Sequence, residues 1–363
     1  MKILKKIVVI SLLTSCANMI APSGGSKDIS PPHILNSVIM ADTKQPRHKT
    51  IIFEFNEYVQ LNKWDTYFYI SPPTSKPTKK KIKGKKLVLH IEDTLLQNTT
   101  YYVSLNSCIK DNNEGNVLDT LEYKFSTDVN FDTLTIMGSL NDSYTLNPIQ
   151  NAWVMIFNAY LNDSLIFNKT PNYIAKTDEN GFFHFPNLQA RDYKIAALTG
   201  IDFMYNEEEK MAFLDRFINP KIDSFISFFA FDPVIKVDSF MIEPSPLKKD
   251  SITSILNLDT VGTKAQLPLG KLKINLNQDI ACIFQLLQNE KLIKETCFIE
   301  EPYIIEGIDP GEYQLKYIID NNQDSIWNTG SWDNRMQPEK VINYPSNIII
   351  RSNWDLELEW IIE

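Results

Sequence analysis

Ile51-Ile52-Phe53-Glu54-Phe55-Asn56 alternates. Ile51, Phe53 and Phe55 share one face, the period-2 pattern of a strand with one side buried. The same period returns along the chain. Leu87, Leu89 and Ile91 alternate with Val88, His90 and Glu92, and Tyr101, Val103 and Leu105 follow suit. Trp153, Met155 and Phe157 alternate with Val154 and Ile156; Lys271 to Leu276 alternates as well. The chain closes with Leu356, Leu358, Trp360 and Ile362 set against Asp355, Glu357 and Glu359. Turn clusters separate these runs: Asp111 to Asn116, Thr177-Asp178-Glu179-Asn180-Gly181 and Gly307-Ile308-Asp309-Pro310-Gly311. The pattern predicts an all-β chain of tandem antiparallel sandwiches with one short helix. That helix is expected after Asn206, which can cap it. Glu207, Glu208 and Glu209 suit its positive end, and Met211, Leu214 and Ile218 form its apolar stripe.

The N-terminus reads as an address. Lys2, Lys5 and Lys6 precede the short apolar run Ile7 to Leu13, then Leu13-Thr14-Ser15-Cys16. A basic region, a brief apolar region and small residues make a secretory signal, and the run is too short to span a bilayer. A cysteine at the processing point makes the motif a lipobox. Cys16 is the expected lipidation site, anchoring the chain through buried CH₂ groups. Residues 1–15 are the signal peptide and 16–32 a lipidated, small and polar tether. Body domains are expected over 33–130, 131–246 and 247–363. The last two share a layout in which a tyrosine, Tyr193 or Tyr313, leads an alternating strand, as in two distant versions of one sandwich.

Composition bounds the partners. The 363 residues are 43% hydrophobic and 22% charged, enough for real cores. Loss of Lys2, Lys5 and Lys6 with the signal takes the net charge from −9 to −12, so nucleic acid is excluded as a general ligand. After Cys16 only Cys108, Cys282 and Cys297 remain. If residues 282–297 form a hairpin turning at Asn289-Glu290, Cys282 and Cys297 lie opposite each other and an oxidising compartment permits a disulfide; two neighbouring thiols are the other reading. Cys108 reads as a buried strand residue.

Several segments resemble a known family. Gly24-Gly25-Ser26-Lys27-Asp28, Pro31-Pro32, Phe53-Glu54-Phe55-Asn56-Glu57-Tyr58-Val59, Asn98-Thr99-Thr100-Tyr101, Asp111 to Asn116 and Phe125-Ser126-Thr127 resemble the Ig-like domain (SbsA type) of Bacteroidota lipoproteins. Thr177 to Phe183 with Tyr193 is similar to a carboxypeptidase-regulatory or Cna-B-like, prealbumin-like sandwich. Gln337-Pro338-Glu339, Tyr344 and Arg351-Ser352-Asn353-Trp354-Asp355 are similar to the C-terminal part of the same lipoproteins. The resemblance implies β-sandwiches, a lipid anchor and outer-membrane residence, and carries over no catalytic residue. Surface export in such lipoproteins resembles a rule requiring acidic residues after the cysteine. Ala17-Asn18-Met19-Ile20-Ala21 has none, which implies a periplasm-facing position. Asp followed by Ser or Thr and an aliphatic residue, as in Asp93-Thr94-Leu95, Asp119-Thr120-Leu121, Asp132-Thr133-Leu134 and Asp324-Ser325-Ile326, resembles the O-glycosylation pattern of these exported proteins; such pairs also start turns.

Two constellations stand out as candidate sites. Asp320, Asn322 and Asp324 alternate as calcium ligands do, although the turn glycine and the distal bidentate glutamate of an EF-hand are missing; a plain turn is the bland alternative. Lys79, Lys80, Lys81, Lys83, Lys85 and Lys86, with Lys76, form the one basic run. They read either as a contact for lipid phosphate or an acidic partner, or as an edge kept charged against sheet-to-sheet pairing. His33, His48, His90 and His184 are scattered without metal-ligand spacing, and no nucleophile elbow or phosphate loop occurs. The expected role is that of a non-enzymatic, outer-membrane lipoprotein that docks an envelope protein partner. A surface glycan-binding or adhesion module using Trp327 and Trp332 is the alternative.

Overall fold

The structure, a computed structural model, describes residues 26–41, 49–233 and 268–362. Cys16, most of the tether and the Asp-Ser and Asp-Thr pairs at 250–251 and 259–260 lie outside the described residues. The fold is all-β, and the chain forms two compact units.

Eleven short elements come first: β1 (Ile34–Ala41), β2 (Lys49–Phe55), β3 (Val59–Leu61), α1 (Trp64–Tyr67), β4 (Tyr69–Ser71), β5 (Lys79–Lys83), β6 (Lys86–Ile91), β7 (Thr100–Ser104), β8 (Ile109–Asp111), β9 (Val117–Leu118) and β10 (Glu122–Ser126). The first unit takes the chain through Phe68, then Lys76–Thr94 and Leu105–Leu121. It holds the sheet β1-β2-β6-β5 and the small sheet β3-β8-β9. Ile51 pairs with Leu89 and Phe53 with Leu87, and all four are fully buried, as the alternation requires. Asp111, itself buried, organises the β8–β9 turn. Its carboxylate accepts amide hydrogen bonds from Asn113, Glu114, Gly115 and Asn116 at 2.6–2.9 Å. Desolvation pushes its pKa up, but those four amides outweigh burial and hold it below the usual range.

The second unit holds the sheet β10-β7-β4 and two sandwiches. One is built from β11 (Leu134–Asp142), β12 (Trp153–Asn158), β13 (Tyr173–Lys176), β14 (Phe182–Leu188), β15 (Tyr193–Leu198), β16 (Met211–Phe213) and β17 (Phe225–Ala230). The other uses β18 (Gly270–Leu276), β19 (Cys282–Gln288), β20 (Lys291–Phe298), β21 (Tyr303–Ile308), β22 (Gly311–Ile319), β23 (Val341–Asn343), β24 (Ile348–Ile350) and β25 (Asp355–Trp360). Each has a three-stranded sheet, β14-β11-β17 or β21-β18-β25, packed on a larger one, β13-β12-β15-β16 or β20-β19-β22-β23. In both, the central strand pairs antiparallel on one side and parallel on the other. Tyr193 opens β15 and Tyr313 is the third residue of β22, and each donates its hydroxyl to the carbonyl four residues earlier, at 3.0 and 2.9 Å. The repeated layout expected from sequence is therefore present.

The helix expected after Asn206 is not there. Asn206 does make a cap-like turn, accepting from the Glu208 and Glu209 amides at 3.2 and 3.0 Å. The chain then enters β16, where Met211, Ala212 and Phe213 are all buried and pair with Leu198, Ala197 and Ala196. A short helix is marginal in water, and docking onto a sheet edge against Phe231 wins. The one short α-helix among the described residues is α1.

Candidate functional site

The basic run forms the β5–β6 hairpin, with β5 at the edge of its sheet. Lys79 pairs with Glu92 at 2.7 Å, Lys80 with Asp65 at 3.5 Å and Lys86 with Glu54 at 3.2 Å. Lys85 donates to the Asn56 carbonyl at 2.6 Å and lies over the Tyr58 ring. Lys81 and Lys83 point to solvent with no acidic partner among the described residues.

Cys282 and Cys297 do not face each other. The hairpin turns at Asn289-Glu290, both with positive φ, but a bulge at Ile293 shifts the register by one. Cys282 then opposes Phe298, and Ile283 opposes Cys297. One residue of slip sends the two thiols to opposite faces, and both are free. Burial pushes the Cys282 thiol up to about 12. Cys108 is buried, as expected.

Asp320, Asn322 and Asp324 do come together, with their oxygens turned to amide donors. Asp320 accepts from the Asp324 and Ser325 amides, Asn322 from the Asp324 amide, and Asp324 from the Ile326 amide, at 2.8–3.2 Å. Glu339, which sequence reasoning passed over, pins the loop by accepting from the Asn321 and Asn328 amides at 2.8 and 3.0 Å. Of the Asp-Ser and Asp-Thr hydroxyls, Thr94, Thr120, Thr133 and Ser325 are exposed.

Trp327 and Trp332 are not an exposed platform; they close the joint between the two sandwiches of the second unit. β12 and β19 are buried on both faces, so each larger sheet has an outer side that needs a cover. Over Ile283, Ile318 and Val341 lie Tyr144, Leu146 and Trp327. Over Met211, Phe213 and Phe231 lies Trp332. Tyr144 packs on Trp327 at 4.9 Å and donates to Gln285 at 2.7 Å. Trp332 meets Phe213 edge-on at 4.9 Å and carries the Arg335 guanidinium 3.8 Å from its ring. Asp163 binds both Arg335 and Lys194, and Lys210 bridges Asp142 and Asp232. Lys316, only 3% exposed, donates to the Tyr144 carbonyl at 2.6 Å and sits 4.0 Å over its ring. Desolvation drives its pKa down to about 8, against the pull of Asp142. Beside this joint, Asp163, Lys194, Phe217, Trp332 and Arg335 line a cleft of about 420 Å³.

The outer faces of the two three-stranded sheets correspond position by position. On β21-β18-β25, Lys271 sits between Glu306 and Asp355, and Lys273 between Ile304 and Glu357. Lys271 pairs with Glu306 at 3.0 Å and Lys273 with Glu357 at 2.6 Å; Asn275 donates to Glu357 and Glu359 at 2.9 and 2.8 Å. On β14-β11-β17, Met137 sits between His184 and Phe225, Ser139 between Phe182 and Ser227, and Asn141 beside Phe229. Met137, Phe182, Phe225 and Phe229 are 50, 51, 53 and 39% exposed. These four side chains form a cluster of apolar exposure on one face of the sheet. It could have been noticed in Phe182-Phe183-His184-Phe185 and Phe225 to Phe229, which place aromatics at both parities of a strand.

Three solved structures similar to this chain each share 11% identity with it. The minor pilin GBS52 of Streptococcus agalactiae has a TM-score of 0.20, covering 63% of this chain and 95% of that one. BcpA, the major pilin subunit of Bacillus cereus, has 0.19 over 55% and 70%. The Bacillus anthracis TIE protein has 0.18 over 100% and 61%. At such scores these likenesses carry no argument. No curated protein matches. Residues 28–127 match the family described as bacterial Ig-like domain, so the chain carries a domain of that family.

Proposed function

We propose that this chain is a non-enzymatic structural and protein-docking module of the cell envelope, held by an acylated Cys16 to the outer membrane and facing the periplasm. The lipobox supports the anchor, and a bacterial Ig-like domain is typically a structural part. The observation that carries the docking role is the apolar outer face of β14-β11-β17, whose counterpart in the sister sandwich is closed by ion pairs. Met and aromatic side chains are the usual material of interface centres.

The test is crosslinking in intact cells from a photo-reactive residue placed at Ser227, with the same residue at Lys273 as control, alongside protease shaving. A stoichiometric envelope protein captured from Ser227 alone, with no shaving, is the expected result. Ready shaving with nothing captured overturns both the docking role and the orientation. A Cys16→Ser chain that still fractionates with membranes overturns the anchor. The competing reading is a glycan-binding module. It is favoured by the cleft beside Phe217, which is 56% exposed, and saturable glycan binding lost on Phe217→Ala would establish it.

A further inference from the structure

The way the tether joins the first unit gives the lysine hairpin a direction. Asn116 donates its side-chain amide to the Asp28 and Ser30 carbonyls at 3.1 and 3.2 Å. The His33 amide donates to Asn56 Oδ1 at 2.8 Å, and the Asn56 amide returns a bond to the His33 carbonyl at 3.1 Å. Asn56 is also the residue whose carbonyl takes the Lys85 ammonium. The chain arriving from Cys16 is thus fastened beside the tip of the β5–β6 hairpin. That tip combines two features. Lys81, Lys83 and Lys85 carry exposed charge, in a stretch with seven lysines between Lys76 and Lys86 and no acidic residue. Tyr58, 62% exposed, lies against Gly84 and under Lys85.

We infer that the Lys83–Lys86 tip, with Lys81 and Tyr58, binds the anionic phosphate headgroups of the membrane to which the tether holds it. The inference rests on the lipid anchor proposed above. Sixteen residues lie between Cys16 and His33, and no chain reaches beyond about 3.5 Å per residue, which bounds how far the tip can stand from the acyl chains. The overall negative charge does not oppose this. Charges farther away than a Debye length, about 8 Å at physiological salt, are screened, so the local patch governs the contact. Lysines supply point charges for phosphate, and a tyrosine with a wet hydroxyl and an apolar ring suits the headgroup level. The ion pairs of Lys79, Lys80 and Lys86 hold the hairpin in shape and leave Lys81 and Lys83 for the surface.

The experiment uses the full lipidated protein on vesicles of phosphatidylcholine alone, with phosphatidylglycerol added, or with lipid A added. Amine acetylation of each lysine is read by mass spectrometry, and flotation reports the anchor. The expected result is that anionic vesicles slow labelling of Lys81, Lys83 and Lys85 by about threefold or more, that high salt restores it, and that Lys273 is unaffected. Protection by lipid A but not phosphatidylglycerol assigns the headgroup source, and protection by both makes it generic. Flotation with unchanged labelling overturns the inference while leaving the anchor intact; failure to float overturns the anchor. Protection that appears only on adding a protein partner overturns the lipid assignment.

Discussion

The β11-centred and β18-centred sheets have the same topology and the same register, and they differ in what they present outward. Met137, Ser139, Phe225 and Ser227 stand where the other sheet has Lys273, Asn275, Glu357 and Glu359. Folding therefore does not dictate the apolar face, because a charged face serves the same scaffold. Four large apolar side chains stand in water on the β11-centred sheet, which is what the proposed docking face requires. The inner faces differ too. Gly138, opposite Phe183, occupies the place that Ile274, opposite Tyr303, fills in the sister sheet.

That inner difference offers the largest effect. A Cβ at Gly138 would come 2.1 Å from the Ile226 carbonyl oxygen and 2.3 Å from the Phe183 ring. The Phe183 ring lies in the space that a side chain at Gly138 would use. Gly138→Leu is expected to cost about 3 kcal/mol or more by overpacking and to expose β17 to proteolysis. Ile274→Gly, at a buried position, is expected to cost as much by leaving a cavity. Chemical denaturation measures both, and a tolerated Gly138→Leu would break the positional equivalence.

The next effect lies in the joint. A lysine buried with its pKa near 8 holds its proton less tightly in the folded chain than in the unfolded one, where it titrates at about 10.4. Where the unfolded state binds more protons, stability rises with pH. The charge therefore costs stability below about pH 8, and that cost is relieved between about 8 and 10.4. Lys316→Met is expected to raise stability at neutral pH by about 1–3 kcal/mol and to abolish the alkaline rise. Stability lost at neutral pH would show that the contact with the Tyr144 carbonyl and ring outweighs desolvation.

How much of this was legible follows from what each signal reports. Alternation at Ile51 to Phe55 gave strand and inward face together, because period 2 fixes both. Tyr193 and Tyr313 exposed the repeat, because each needs a hydroxyl acceptor at a fixed spacing. The helix at Asn206 misled because its turn is real while the pairing of Met211 to Phe213 is long-range. Cys282 and Cys297 misled because one bulged residue, Ile293, is invisible to counting. Trp327 and Trp332 read as free aromatics because their cover, Tyr144 and Phe213, lies far away in sequence.

Asp142 sharpens the joint from the other side. It ends β11, and it takes the Tyr144 and Thr145 amides at 3.0 and 2.7 Å as well as Lys210. Burial alone would raise its pKa, but these donors hold it below the usual range. Its contribution is present above the unfolded value of about 3.9 and is lost as pH falls through the lower folded value. Asp142→Asn is expected to cost about 1.5 kcal/mol at pH 7 and to flatten the acid limb of the stability curve. An unchanged acid limb would move the carboxylate responsible elsewhere.

The smallest effect on stability carries the largest claim about function. Phe225 and Phe229 have no core to lose, so Phe225→Glu with Phe229→Glu should leave folding within about 0.5 kcal/mol. The double change gives β17 the acidic outer edge that β25 already has. If the apolar face is a docking surface, capture of the envelope partner from Ser227 disappears while the unfolding midpoint stays put. If capture persists, the partner is held elsewhere, and the contrast between the two sheets is one of composition only. If the midpoint falls, the phenylalanines are buried against a further part of this chain, and the face belongs to the fold instead of to a partner.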